Sequence, residues 1–256
     1  MERKSSHSRR ADRTMPHELR KMRAERIIAT GLQLTKTVPL QEVSIVRLAR
    51  ELDVTPGALH YHLNGRQSLT SGIINRFYGE MLSHWPATSG DWQQNLRNVA
   101  ATIQQCFKRY PGIAAYYVLH NRFDVLLPAI GTEHGEAPMK FFDRYLSELG
   151  RVGLSPQRTA TYAVILLQFI HITAYATAQH QWPSERSGVK AHIDRYRRKE
   201  FPNVLRFGSA FAAVTGDAAF RFGLDLIVAG LAMEGGCNDR RRSALSGPSC
   251  RTEKSR

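Results

Sequence analysis

The residues best suited by type and spacing to contact a nucleic acid lie between Ser44 and Tyr61. Ser44 stands as an N-cap before Ile45, Leu48, Ala49 and Leu52, a helix of about two turns. Asp53 and Val54 then lead to Thr55, whose hydroxyl suits the cap of a second short helix, with Pro56 at its first helical position and an end near Leu63. Short helix, tight turn, short helix is the arithmetic of a helix-turn-helix. The small residues Thr55, Pro56, Gly57 and Ala58 would let the second helix approach base edges in a major groove about 12 Å wide. Leu48, Ala49, Val54 and Leu59 are expected on the buried side, with Ala49 small where the two backbones cross. On spacing alone, an ordinary helical hairpin fits equally well.

Other chemistry is poorly represented. The chain lacks GxGxxG, GxxxxGK[ST], GxSxG and HExxH, so no familiar reacting constellation supports an enzyme. His60 and His62 are two residues apart and point about 200° from each other on a helix, which prevents them from chelating one metal. Cys106, Cys237 and Cys250 form no CxxC pair, excluding a disulfide framework or cysteine-rich zinc module. Neither a metal nor a cofactor is expected.

Candidate ligand contacts come from helical spacing. Gln168, His171 and Tyr175 recur at i, i+3 and i+7, so their polar tips share a face inside an apolar segment. Tyr116, His120 and Phe123 share a face by the same spacing. Polar groups satisfied within a core or interface give the same pattern. Phe220, Gly223, Leu224, Ile227, Gly230 and Leu231 form an apolar stripe whose glycines permit close helix approach; a dimer interface is the preferred reading and an intramolecular core the alternative.

The elements that must position these residues are helical throughout, with no period-2 run long enough for a strand. An arm (1–16) precedes an amphipathic helix over 17–35 with a basic face. A helix capped by Ser68 is expected to end near Pro86, and further helices cover 92–110, 113–121 and 139–149. Ser155 and Pro156 open a helix to about His180 that is apolar almost all round, which marks a core or a subunit interface. Asp217 is expected to cap the last helix, over 218–233. The 256 residues carry 36 Lys+Arg against 22 Asp+Glu, a net charge of +14 that favours a polyanionic partner. The excess lies at both ends: 14 basic against 8 acidic side chains in residues 1–80, and 6 against 2 in 239–256. Such ends act as solubilising tails or as arms that touch nucleic acid. No uninterrupted apolar run reaches the length of a membrane span, because Gln168, His171 and Thr173 break the most apolar one, and the first thirty residues lack the apolar core of a signal peptide. A cytoplasmic protein without a membrane partner is expected.

The segment TPGALHYHLNGRQSLTSGIINRFY resembles the DNA-binding signature of the TetR family of transcriptional regulators, over residues 18–82. Leu59, His60, Tyr61, His62, Leu63, Arg66 and Leu69 fall in register on the family's LYxHFxxKxxL-like pattern, with His60 in place of the usual Tyr and Leu63 in place of Phe. Residues 91–115, LSPQRTATYAVILLQF and FRFGLDLIVAGLA are similar to the C-terminal domain of the tetracycline-repressor branch. The resemblance implies an all-α fold, with an N-terminal three-helix helix-turn-helix DNA-binding domain and a larger C-terminal helical ligand-binding and dimerisation domain. The expected boundaries are a basic arm (1–16), the DNA-binding domain (17–66), the ligand-binding and dimerisation domain (67–238, entered through a linking helix over 67–85) and a disordered basic tail (239–256). The same resemblance implies a homodimeric repressor that holds a palindromic double-stranded DNA operator and is released by a small-molecule inducer. Its expected DNA contacts are Ser44, Arg47, Thr55, Pro56, Gly57, Ala58, His60, Tyr61, His62 and Arg66. The alternative function is a basic protein that binds nucleic acid or membrane surfaces without sequence preference.

Overall fold

The computed structural model describes residues 17–62, 66–120, 136–196 and 199–245. Among them are eleven α-helices, two short 3-10 turns and no strand, as the all-α reading expects. The helices are α1 (His17–Leu34), α2 (Ile45–Glu51), α3 (Pro56–His62), α4 (Arg66–Ser83), α5 (Trp92–Arg109), α6 (Pro111–His120), α7 (Ala137–Gly150), α8 (Pro156–Ala178), α9 (Ser187–Arg195), α10 (Pro202–Ala212) and α11 (Gly216–Leu245). They form two compact units, Met1–Trp85 with Gln105–Phe142, and Pro86–Gln104 with Asp143–Arg256.

In the first unit α1 crosses α4 at two glycines. A Cβ on Gly31 would lie 2.7 Å from Ile73 Cδ1, and one on Gly72 would lie 2.7 Å from Ile28 Cδ1. Each glycine therefore admits an isoleucine of the other helix, which lets the two axes come close. Leu32, Leu40, Leu48, Leu59 and Leu69 fill the space beneath α2 and α3. Farther along α4, Phe77 meets Phe107, Tyr78 and Tyr110 at ring separations of 5.0, 5.3 and 5.9 Å, and Tyr78 meets Phe141 at 4.8 Å. These are the tilted and edge-on geometries that the ring quadrupoles favour.

In the second unit α8 packs along α11. Phe169 stacks on Phe220 at 5.7 Å, and a Cβ on Gly223 would lie 2.5 Å from the Phe169 ring. Arg158 pairs with Glu234, whose carboxylate also accepts a bond from the Tyr162 hydroxyl. Tyr145 donates to the Ala163 carbonyl at 2.9 Å, tying α7 to α8. Asn95 and Ser89 bond one another reciprocally, and Arg151 donates to the Ser89 carbonyl at 2.8 Å.

Several boundaries differ from the sequence reading. Helix α4 begins at Arg66, before the expected Ser68 cap. The last helix is capped by Thr215, whose hydroxyl accepts from the Ala218 N–H at 3.2 Å, instead of by Asp217. It runs on to Leu245, into the stretch expected to be a disordered tail. Helices α9 and α10 were not anticipated. They pack on each other through Gly208, whose missing side chain makes room for Ile193, but Phe201, Leu205, Phe207 and Phe211 face outward, which blurs the inward periodicity. By length and mean hydropathy Pro156–Glu185 would qualify as a membrane span, contrary to the run-length argument, although 33% of its most apolar window is already buried within the chain.

Candidate nucleic-acid interface and ligand-responsive core

The two expected caps of the helix-turn-helix are formed. Ser44 Oγ accepts from the Arg47 N–H at 3.2 Å, and Thr55 Oγ1 accepts from the Ala58 N–H at 3.4 Å. Between the helices Asp53 takes φ +52, a left-handed conformation that Asp tolerates better than most residues, and the Val54 N–H closes the turn on the Ala49 carbonyl at 2.9 Å. Ile45, Leu48 and Ala49 of α2 and Leu59 of α3 point inward. Val54, expected on the buried side, is 44% exposed because the left-handed turn carries it outward.

Among the described side chains of α3 Leu59 is buried, and Pro56, Gly57, Ala58 and His60, with the capping Thr55, are all exposed. Arg47 and Arg50 on α2 are exposed as well, and among the described residues Arg47 forms a 3.8 Å ion pair with an exposed Glu42. Such a pair between solvated side chains leaves the arginine available to another anion. Ser44 is half-buried with its oxygen engaged in the cap, so its part is to set the α2 terminus. Tyr61, His62 and Arg66 lie on α3 and at the start of α4, with their side chains outside the described residues.

Helix α6 connects this head to the aromatic core of its unit. The Gly112 N–H donates to the Thr35 carbonyl at 2.8 Å, and a Cβ there would lie 1.9 Å from the Val38 carbonyl oxygen. The first turn of α6 thus rests on the backbone that links α1 to α2. One residue before α6, Tyr110 donates to both carboxylate oxygens of Glu80 at 3.0 and 2.8 Å, and Arg109 donates to the same group at 3.0 Å. Farther along α6, Tyr117 and Tyr78 share a hydroxyl hydrogen bond of 2.7 Å in full burial, which pushes both phenols well above their usual range. Tyr116 is half-buried beside this pair, while the His120 side chain and Phe123 are outside the described residues.

In the second unit the three expected α8 residues separate. His171 is buried, and loss of hydration pushes its imidazole down to about 4, so it is neutral at neutral pH. Tyr175 is half-buried. Gln168 is exposed, a correction to the expected inward face: its neighbours along the helix are Val164, Ile165 and Ile172, which are also exposed. A residue missed in the sequence, Gln104, is 4% exposed, with no hydrogen-bond partner for its amide nitrogen among the described residues. A lone Gln on the apolar stripe of α5 was its only signal. A cleft of about 900 Å³ lined by Ser184, Lys190, Asp194, Leu205 and Ser209 opens at α9 and α10, and none of the expected ligand residues that are described (Tyr116, Gln168, His171 and Tyr175) lines it.

The stripe expected to dimerise also turns inward. Phe220, Leu224 and Leu231 are buried within the chain, and Gly223 receives Phe169, so these residues have little area left for a second copy. Ile227 and Gly230 are half-buried at its margin. The opposite side of α11 shows Phe222 (69% exposed), Leu226 (60%) and Met233 (77%).

The family model described as tetracyclin repressor-like, C-terminal domain matches residues 86–234, more than half of the chain. The chain belongs to the TetR family. The class C tetracycline repressor of Escherichia coli is 25% identical over 217 residues, covering 83% of this chain and 92% of that protein, and the class G repressor of Vibrio anguillarum is 24% identical over 205 residues, covering 80% and 90%. Among solved structures, the Streptomyces coelicolor TetR family protein ActR in complex with actinorhodin superposes with a TM-score of 0.66 at 22% identity, covering 83% of this chain and 98% of ActR; apo ActR gives 0.61 at 21%. This TetR-family regulator therefore pairs a DNA-binding helix-turn-helix with a helical C-terminal ligand-binding region.

Proposed function

We propose that this regulator is a homodimeric repressor that holds a palindromic double-stranded DNA operator through α3 and is released by a small-molecule inducer, acting in the cytoplasm by binding alone and without catalysing a reaction. The observation that carries the DNA-binding half is α3 itself, capped, anchored by Leu59 and otherwise exposed from Thr55 to His60. In this reading Arg47, Tyr61, His62 and Arg66 contact phosphates and position the helix, and Thr55, Pro56, Gly57, Ala58 and His60 face the bases.

The proposed second copy sits on the outer faces of α8 and α11. Val164, Ile165 and Ile172 on one helix and Phe222, Leu226 and Met233 on the other are large apolar side chains left in solvent by the packing of Phe169 on Phe220. Two such helix pairs, one from each copy, make a four-helix bundle in which Gln168 meets the partner instead of a ligand. This coverage also explains why α8 is apolar enough to pass for a membrane span.

Candidate polar contacts for an inducer within the second unit are His171, Tyr175 and Gln104. Gln104 presents a buried amide donor that an acceptor on the inducer would satisfy. An inducer that displaced α6 would move the Gly112 contact with Thr35 and Val38, and with it the α1–α2 link. The proposal is tested by selecting randomised duplexes with the purified full chain at near-physiological salt, with light scattering on the bound species. An enriched inverted repeat held by two chains is expected. Salt-sensitive binding with no enriched sequence would overturn it.

A further inference from the structure

The reading surface of α3 is chemically unusual. Its sequence, Pro56-Gly57-Ala58-Leu59-His60-Tyr61-His62, contains no Arg, Lys, Asn, Gln, Asp or Glu. The strong base-edge contacts of the major groove are Arg or Lys on guanine, Asn or Gln on adenine, and Asp or Glu on cytosine. None of these pairs is available from this helix. What it shows to solvent is small and largely hydrocarbon: the Thr55 methyl, the Pro56 ring, the bare Gly57 backbone and the Ala58 methyl, with exposed Val54 just before them. The Thr55 oxygen accepts from the Ala58 N–H, which ties that oxygen to the helix terminus, and its methyl is open to other contacts. Small side chains also allow close approach, and the apolar feature of the groove they would meet is the C5-methyl of thymine. A single imidazole, His60, supplies polar readout among the described side chains of the helix.

We propose that α3 recognises its half-site chiefly through thymine 5-methyl groups, packed against Thr55, Pro56 and Ala58, with His60 adding one single-point hydrogen bond. This rests on the proposed operator-binding function and specifies the chemistry of the operator: thymines at the positions facing Thr55, Pro56 and Ala58. Each methyl is worth about four-fold in affinity at the transfer value of one buried carbon, so losing two per half-site in a twofold operator weakens binding by roughly two-hundred-fold.

The test selects with the full chain from two randomised duplex pools, one made with thymine and one with deoxyuridine, which keeps every hydrogen-bonding group and removes only the methyl. Binding of the winning thymine duplex is then compared with its deoxyuridine and 5-methylcytosine·guanine versions. Enrichment of a thymine-containing repeat, a loss of ten-fold or more on deoxyuridine substitution, and partial recovery with 5-methylcytosine are expected. Ala58→Gly should erase the preference for thymine at one position of each half-site and leave the others. The same repeat winning from both pools with equal affinity would overturn the methyl readout while leaving the regulator reading intact. Failure of both pools to enrich any sequence would overturn both.

Discussion

Replacing Gly112 by alanine tests the contact between α6 and the α1–α2 link. The added Cβ would lie 1.9 Å from the Val38 carbonyl oxygen and 2.7 Å from that of Thr35. Ordinary C···O contact begins near about 3.3 Å, so relief requires a backbone shift of roughly 1.4 Å. Both obstructing atoms are backbone, and no side chain can rotate away. A shift of that size also stretches the 2.8 Å bond from the Gly112 N–H to Thr35 beyond hydrogen-bonding range. Overpacking costs about 1–3 kcal/mol and the lost bond about 0.5–1.5 kcal/mol, giving a destabilisation of roughly 2–4 kcal/mol. At about 2–4 °C per kcal/mol for a chain of this size, the melting temperature should fall by roughly 5–15 °C in calorimetry. Gly79→Ala is the matched control: it lies within α4 with nothing within 4 Å of the new Cβ, and should stabilise by about 0.5–1 kcal/mol. A Gly112→Ala protein melting within a degree of wild type would refute the contact.

Three further outcomes are expected. A double-mutant cycle on Tyr78→Phe and Tyr117→Phe, read by denaturant unfolding, should give a coupling of about 0.5–1.5 kcal/mol for their 2.7 Å bond, whereas additive losses would mean that the hydroxyls do not interact. His171 is neutral when folded and holds its proton only below about 4, against 6.5 when unfolded, so the unfolded state binds more protons between those values. Its contribution to stability is complete above pH 6.5 and falls by about 3 kcal/mol as the pH drops to 4; His171→Gln should flatten that limb, and unfolding curves with an unchanged acid slope would count against burial as the cause. If the proposed dimer forms through α8 and α11, Phe222→Glu or Leu226→Glu should convert it to monomers in light scattering while leaving the helical circular dichroism intact, because these side chains are exposed in the single chain; a dimer that persists in both variants would place the interface elsewhere.

What the sequence disclosed was local. The Ser44, Thr55 and Ser155 caps were legible because a hydroxyl three residues before an N–H either closes a helix or does not, and all three do. Leu59 was legible as a buried residue of α3, since it alone is large and apolar between Pro56 and His60. The Gly112 contact was not, because it joins residues more than seventy positions apart through backbone atoms that leave no signature in side-chain type. The same limit explains the two misplaced faces. Helix α11 carries two apolar stripes, Phe220-Leu224-Leu231 and Phe222-Leu226-Met233, and helical spacing describes both equally well. Which one turns inward is decided by Phe169, whose ring occupies the space a side chain at 223 would need. Once that stripe is committed to the chain's own core, the other is left exposed, and it is the face proposed for a second copy. On α8 the same choice places Gln168 between Ile165 and Ile172 on the outer side and buries His171 on the inner one. A polar residue at helical register with another therefore indicates a shared helix face only approximately: three residues, about 60° short of a full turn, separate a solvated amide from an imidazole whose protonation is set by burial.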